Sequence, residues 1–239
     1  MTVKPLADQT KGHLDRDGIK GLVREAARLV IQGLIIFLCA GRMDWLRGWI
    51  YLGLALSVQT LTIVFLALKD PQLINRRARV QKGTKGFDLL LLSLIFPLSY
   101  LALAVSSLDG GRYGWSEPGL LSLYSAGAAF VLGGALLAWA MGVNTHFEAT
   151  IRIQEDQGHQ VCASGPYAQV RHPGYLGWLL VLLSTPLILG SWWGLIPAGL
   201  ASGLIVVRTA LEDRTLKLEL DGYKDYSLKV KYRLLPFLW

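Results

Sequence analysis

The sequence carries little charge for its size. Asp, Glu, Lys and Arg make up 17% of its 239 residues, whereas hydrophobic residues make up 52%. Soluble domains usually contain about 25% charged residues, so this composition excludes an ordinary soluble globular protein and indicates a membrane protein. Charge is missing from five long stretches, which are residues 29–41, 48–68, 89–108, 118–147 and 173–207.

Several common site motifs are also missing. The two cysteines, Cys39 and Cys162, cannot form a disulfide framework. There is no C-x-x-C, H-E-x-x-H or G-x-S-x-G motif and no glycine-rich phosphate loop, so a metalloprotease, an esterase and a P-loop enzyme find no support. The four histidines lack the spacing of metal ligands. We therefore predict no metal site.

The last uncharged stretch predicts a helical hairpin. A bilayer core about 30 Å thick needs about 20 helical residues, and the second, third and fourth stretches each supply that length. The last stretch has 35 residues and is interrupted by Pro186, Gly190 and Pro197. Because proline and glycine break helices, we expect two short antiparallel helices that turn near residues 190–194.

The first uncharged stretch is shorter than a full crossing. An apolar stripe from Ile19 to Val30 precedes it at helical spacing, which predicts an amphipathic helix that leads into the first crossing. The expected fold class is all-α: a polytopic integral membrane protein with about six transmembrane helices, including a C-terminal helical hairpin, followed by an amphipathic cytoplasmic helix.

Basic residues predict the orientation in the membrane. With six crossings, 21 of the 24 Lys and Arg residues fall on one side, and such an excess marks the cytoplasmic side. Both termini are therefore expected in the cytoplasm, and the net charge of +7 reflects topology, not a nucleic-acid partner. No repeat or linker divides the chain, which predicts one domain over 1–239, with a cytoplasmic start at 1–28 and a functional part at 144–239.

Two polar segments lie on the cytoplasmic side in this topology. The first, residues 159–177, places Arg171 beside a His-Pro step at the mouth of the hairpin. In the second, residues 208–226, Arg208 and Glu212 are four positions apart and share one helix face. Because ionisable groups beside an apolar span are costly and usually functional, these segments are the candidate site.

A series of short motifs runs through both segments. G-x-Y and R-H-P-x-Y-x-G are followed by R-x-x-x-E-D, then by Y-x-x-Y and the late Pro236. This series resembles the isoprenylcysteine carboxyl methyltransferase family, part of a wider group that includes membrane phospholipid methyltransferases. The resemblance extends from about His146 to Trp239. The N-terminal helices match only as generic membrane helices.

The resemblance implies a methyl donor, S-adenosylmethionine, and a lipophilic or lipidated acceptor that enters from the membrane lipids. It also implies two walls of a cofactor pocket. One wall would contain His159, Tyr167, Arg171, His172, Pro173, Tyr175 and Gly177, and the other would contain Glu212 and Asp213. The second acid of the family motif is usually Glu, so Asp213 departs from the pattern and Glu212 is the expected donor ligand.

The resemblance and the chemistry of methyl transfer predict the catalytic residues. Arg208 and Glu212 are the candidates, with Glu212 holding the donor's ammonium and Arg208 holding an acceptor carboxylate. Tyr167 and Tyr175 could face the sulfonium. A carboxylate acceptor is already ionised at pH 7 and needs no base, whereas an amine or thiol acceptor would have to lose a proton.

Other interpretations remain open at this point. A phospholipid amine or a small thiol could replace the prenylcysteine carboxylate as acceptor. An NADPH-dependent, sterol-reductase-like enzyme has a similar C-terminal pattern, but that pattern carries Asn and Glu where this chain has Gly174 and Trp178. A transporter or membrane scaffold would predict acidic or polar residues within the spans. In the second, third and fourth stretches the main polar residues are Gln59 and Asn144, which are more typical of helix packing. The oligomeric state is not predicted.

Overall fold

Helices form the fold. The computed structural model describes residues 13–79 and 82–239, except for the side chain of Asp156. All regular elements within these residues are helical, which confirms the all-α prediction. The α-helices are α1 (Arg16–Ala40), α2 (Leu46–Lys69), α3 (Pro71–Arg77), α4 (Gly86–Ser107), α5 (Leu120–Val143), α6 (Pro173–Ile188), α7 (Leu195–Glu219) and α8 (Tyr223–Lys229).

Helix α1 joins the predicted amphipathic start and the first uncharged stretch. Asp15 caps it by accepting hydrogen bonds from the backbone of Asp17 and Gly18. The helix ends at Gly41, whose φ of +69° suits a residue without a Cβ. Residues 1–12 of the predicted cytoplasmic start lie outside the described residues.

Four helices in the described part of the chain are long and apolar enough to cross a membrane. They are α2, α4 together with the π-helical turn Leu108–Tyr113, α5 and α7. Helix α6 is apolar but shorter. The protein is thus a multi-pass membrane protein, whereas six as the number of crossings stays a prediction.

The hairpin turns where the sequence predicts. Helix α6 ends at Ile188 and α7 begins at Leu195, with Gly190 at a φ of +78° between them. The structure differs from the prediction in the second arm, because this arm and the amphipathic segment form one continuous helix of 25 residues. Gly222, at a φ of +78°, then lies in the turn to α8.

Close packing of α5 against α6 fixes the start of the hairpin. A Cβ at Gly177 would lie 2.6 Å from the carbonyl oxygen of Gly133, and a Cβ at Gly133 would lie 2.7 Å from that of Gly177. Only glycine at both positions permits this approach, as at many helix contacts in membranes. Helix α4 packs on α7, so the first turn of α4 reaches the polar half of α7.

A different network fastens the far end of α4. Asp109 is fully buried in the π-helical turn. It accepts hydrogen bonds from the Ser116 backbone at 2.8 Å, from the Ser116 hydroxyl, and from the Ser191 hydroxyl at 2.6 Å. Because Ser191 belongs to the α6–α7 turn, Asp109 connects this turn to the end of α4.

Candidate functional site

Asp213 is the centre of a buried ion-pair network. Its carboxylate is 1% exposed. Arg171 donates to both of its oxygens, at 2.7 and 3.2 Å, and Arg233 donates at 3.0 Å. The Lys217 ammonium lies 3.1 Å away, and the Tyr223 hydroxyl donates at 3.1 Å. These contacts join α7 to α8, to the segment before α6 and to the C-terminal segment.

The C-terminal segment also binds the R-H-P motif through its backbone. The amides of Arg171 and His172 donate to the carbonyls of Tyr232 and Arg233, each at 2.9 Å. The Nε2 atom of His172 lies 3.4 Å from Oδ1 of Asp213. Pro173, which is fully buried, then begins α6. The motif is therefore fixed in position before the hairpin starts.

Arg208 forms a second buried ion pair, with Asp88 in the first turn of α4. Its Nε donates to Asp88 Oδ1 at 2.6 Å, and its Nη2 donates to Oδ2 at 3.1 Å. Nη2 also donates to the carbonyl of Ala149 at 3.1 Å, and Asp88 accepts from the Ile151 amide at 2.8 Å. Both side chains are at most 5% exposed. The positive charge of Arg208 is already balanced by this bidentate partner.

Tyr175 connects the two predicted catalytic residues. The guanidinium of Arg208 lies over its ring, 5.1 Å from the centroid. Its hydroxyl donates a hydrogen bond to Glu212. Its ring also stacks near His172, with centroids 5.8 Å apart. Arg208 and Glu212 thus share Tyr175 as a neighbour, and the contact of Glu212 is with a neutral hydroxyl.

Tyr167 is buried in the short helical turn Gly165–Ala168. Its hydroxyl accepts from the Asn144 amide at 3.4 Å, and its carbonyl accepts from the Tyr226 hydroxyl at 2.6 Å. Burial raises the pKa of Tyr167 above its usual value, so the phenol stays neutral at physiological pH.

His159 lies farther along the same polar segment. Its ring stacks on His146 with centroids 4.8 Å apart, and its Nδ1 is 3.4 Å from the amide of Gln154. The pKa of His159 is lowered to about 4, mainly by burial and also by the nearby His146 and Arg152. The imidazole is therefore neutral at pH 7.

The structure brings together most of the residues that the sequence predicts for the site. One connected set of contacts contains Arg171, His172, Tyr175, Arg208, Glu212 and Asp213. Tyr167 joins it through α8, whereas His159 contacts His146 instead. Gly177 lies at the contact with α5, and its predicted role in cofactor binding stays a prediction.

Sequence reasoning missed several members of these networks, including Lys217. Tyr223 stands in the Y-x-x-Y motif, but its contact with Asp213 was not predicted. Arg233 belongs to none of the motifs. Asp88 directly precedes the uncharged stretch 89–108, and an acid at the edge of an apolar span is a signal that could have identified it.

Comparison with known families agrees with this geometry. Residues 126–218 match the model of the Isoprenylcysteine carboxyl methyltransferase (ICMT) family. This match agrees with the resemblance predicted from the motifs and supports a membrane methyltransferase. The matched residues include the R-H-P motif and Arg208, Glu212 and Asp213. No curated protein matches the chain.

Proposed function

We propose that the protein transfers a methyl group from S-adenosylmethionine to the carboxylate of a lipophilic acceptor, such as an S-prenylated cysteine. The observation that carries this proposal is the contrast between two adjacent acids within the matched residues 126–218. Asp213 is surrounded by cations, whereas Glu212 receives a hydrogen bond from the neutral Tyr175. Glu212 thus keeps a negative charge that a cationic ligand can use.

The residues present fit the methyl donor. S-adenosylmethionine supplies an electrophilic methyl group on a positively charged sulfur, next to an ammonium and a carboxylate. Glu212 would hold the ammonium by a charge-assisted hydrogen bond. The face of Tyr175 would lie near the sulfonium, since aromatic rings attract cations. His172, stacked beside Tyr175, would help to orient the ring.

The chain's residues contribute mainly by alignment. The carbon–sulfur bond of the donor breaks as the carbon–oxygen bond of the new ester forms, and an ionised carboxylate supplies the electron pair without a base. Holding the two reactants in line can account for much of the acceleration. The buried pairs Arg208–Asp88 and Arg171–Asp213 fix α4, α6 and α7 relative to one another, which keeps Tyr175 and Glu212 in place.

The membrane arrangement supports the same proposal. The site lies at the end of α7 that is rich in charge, while α4, α6 and α7 continue as apolar helices. A lipophilic acceptor would approach along these helices, and a water-soluble donor would approach from the polar end. We propose that this end, both termini and the functional part 144–239 face the cytoplasm.

Labelled methyl transfer tests the proposal. The purified protein is incubated with methyl-labelled donor and either a membrane lipid extract or an N-acetyl-S-prenylcysteine. We expect a labelled product whose label is released by mild base, as from a methyl ester. Base-stable label in a phospholipid amine or a thioether would instead assign the alternative acceptors. The absence of labelled product in every acceptor would contradict the proposal.

Two variants provide the matched comparison. Glu212→Gln removes the charge with little change in shape, and we expect it to abolish transfer. Asp225→Asn makes the same chemical change at an exposed position of α8, and we expect it to retain transfer. Equal activity in both variants would overturn the role of Glu212.

A further inference from the structure

A carboxylate acceptor needs a positively charged partner, and the charge of Arg208 is already balanced by Asp88. The Arg208 guanidinium makes two hydrogen bonds to Asp88, donates to a backbone carbonyl and lies over Tyr175. A second carboxylate at the same guanidinium would compete with a fully buried acid and would be repelled by it. The contacts of Arg208 therefore favour a role in positioning Tyr175.

Arg77, at the end of α3, is a nearby cation in a different situation. Its Nη1 donates to the carbonyl of Phe147 at 3.1 Å, and its guanidinium lies 5.2 Å from the centroid of the Phe147 ring. Within residues 13–79 and 82–239, the Asp156 side chain aside, no carboxylate forms an ion pair with Arg77. The adjacent Arg76 differs, since it pairs with Asp70 at 3.1 Å.

Phe147 places Arg77 beside the site. A Cβ at Gly174 would lie 2.5 Å from the Phe147 ring, so this ring packs directly on the first turn of α6, next to Tyr175. The two arginines also bind one stretch of backbone, because Arg77 donates to Phe147 and Arg208 donates to Ala149. Arg77 thus contacts the Phe147 ring, and this ring contacts the start of α6 beside Tyr175.

Burial distinguishes Arg77 from an ordinary surface cation. The pKa of Arg77 is lowered to about 10, mainly by burial, with smaller contributions from Arg208 and Arg28, while Glu25 opposes the shift. The side chain still carries its charge at pH 7. A partly buried cation without an ion-pair partner is costly, and an anionic ligand would relieve that cost.

We propose that Arg77 binds the carboxylate of the acceptor, while Arg208 positions Tyr175 and Glu212. This inference rests on the proposed methyl transfer to a carboxylate. It assigns acceptor selection to α3 and to the loop that contains Phe147, outside the two motif segments. The neutral Phe147 ring would contact the part of the acceptor next to its carboxylate.

The test compares an acid with its neutral counterpart. The binding of an N-acetyl-S-prenylcysteine and of the corresponding carboxamide is measured by competition against a labelled analogue in detergent. We expect the wild type to prefer the acid by about 10- to 100-fold, as for one charge-assisted interaction. We expect Arg77→Gln to reduce this preference to about one, with unchanged affinity for S-adenosylmethionine.

Two other arginine variants serve as controls. Arg76→Gln removes a neighbouring cation on the same helix, and we expect it to keep the preference for the acid. Arg208→Gln should also keep the preference, although its methyl transfer falls because Tyr175 and Glu212 lose their support. If Arg208→Gln loses the preference and Arg77→Gln keeps it, the two roles are reversed and the inference is overturned.

A lysine variant guards against a folding defect in Arg77→Gln. Arg77→Lys keeps a cation at this position, so it should retain the preference for the acid that Arg77→Gln loses. Loss of the preference in Arg77→Lys, with unchanged affinity for S-adenosylmethionine, would contradict the inference. Failure of the proposed function and failure of this inference can be told apart. If the proposed function is wrong, the wild type does not bind S-adenosylmethionine. If only the inference is wrong, the donor still binds, but Arg77→Gln leaves the ratio of acid to carboxamide affinities unchanged.

Discussion

The two ends of α4 each hold a fully buried carboxylate, but the two are stabilised differently. Asp88 makes a bidentate ion pair with Arg208. Within the described residues, Asp109 accepts from hydroxyl and backbone donors alone, including the Ser191 hydroxyl. The nearby cation Arg47 instead donates to backbone carbonyls, such as that of Pro118 at 2.8 Å. The buried carboxylate at the site is thus stabilised by a cation, whereas the one at the far end is stabilised by neutral hydrogen-bond donors.

This difference distinguishes a candidate functional site from a network with a structural role. At the site, the pairs Arg208–Asp88 and Arg171–Asp213 consume the charges that hold the helices together. Glu212 and Arg77 are left with neutral partners, so their charges are available to ligands of opposite sign. At the far end, Asp109 is fully buried and its hydrogen bonds connect two turns, so its role there is structural.

Asp213→Asn should have the largest effect, because it removes the shared partner of the buried Arg171 and of the half-buried Lys217 and Arg233. We expect the free energy of unfolding to fall by about 3–5 kcal/mol, as when one member of a buried ion pair is lost. Thermal unfolding in detergent measures the change. The exposed Asp225→Asn serves as control and should change stability by less than about 0.5 kcal/mol. Similar stabilities for both variants would contradict the network around Asp213.

Asp109→Asn should have a smaller effect, because it leaves no cation unpaired. The amide keeps one acceptor oxygen, and we expect a loss of about 2 kcal/mol for the disturbed hydrogen bonds. Affinity for S-adenosylmethionine should not change, since the turn lies at the far end of α4. A loss of donor affinity equal to that of Glu212→Gln would break the distinction between the two ends.

Gly177→Ala tests the close packing of α5 against α6. The added Cβ would approach the Gly133 carbonyl, and we expect overpacking to cost about 1–2 kcal/mol. Gly203→Ala in α7 is the matched control, because a Cβ there meets nothing within 4 Å. Thermal unfolding should separate the two variants. If they unfold alike, the close contact between α5 and α6 is not what limits stability.

The stability of the protein should also depend on pH through His159. The pKa of His159 is about 4 in the folded protein and about 6.5 in an unfolded chain. The unfolded state therefore binds more protons as pH falls from 6.5 to 4, and the free energy of unfolding should decrease over this window. His159→Gln should weaken the decrease in a series of melting curves. An identical pH profile in the variant would contradict the burial of His159.

Local sequence signals predicted much of the fold. The apolar stretches marked α2, α4, α5 and the hairpin, since bilayer thickness sets their length. Gly190 and the two prolines marked the turn, because they limit helix continuation. The continuous α7 was not predicted. A helix has no physical reason to end where apolar residues give way to polar ones, so a change of composition alone does not define its end.

The site was predictable only in part. The spacing of Arg208 and Glu212 placed both on one helix face, and both contact Tyr175 in the structure. The partner of Arg208 was not predictable from that spacing, because Asp88 lies 120 positions away along the chain. Which acid meets which arginine depends on how α4 packs on α7, and hydropathy carries no information about that choice.

A calorimetric titration of the detergent-purified protein tests the central claim most directly. The wild type and Glu212→Gln are each titrated with S-adenosylmethionine and, separately, with NADPH. We predict that the wild type binds S-adenosylmethionine and that Glu212→Gln weakens this binding by about tenfold or more, as for the loss of a charge-assisted hydrogen bond. Binding of NADPH without binding of S-adenosylmethionine would contradict the account.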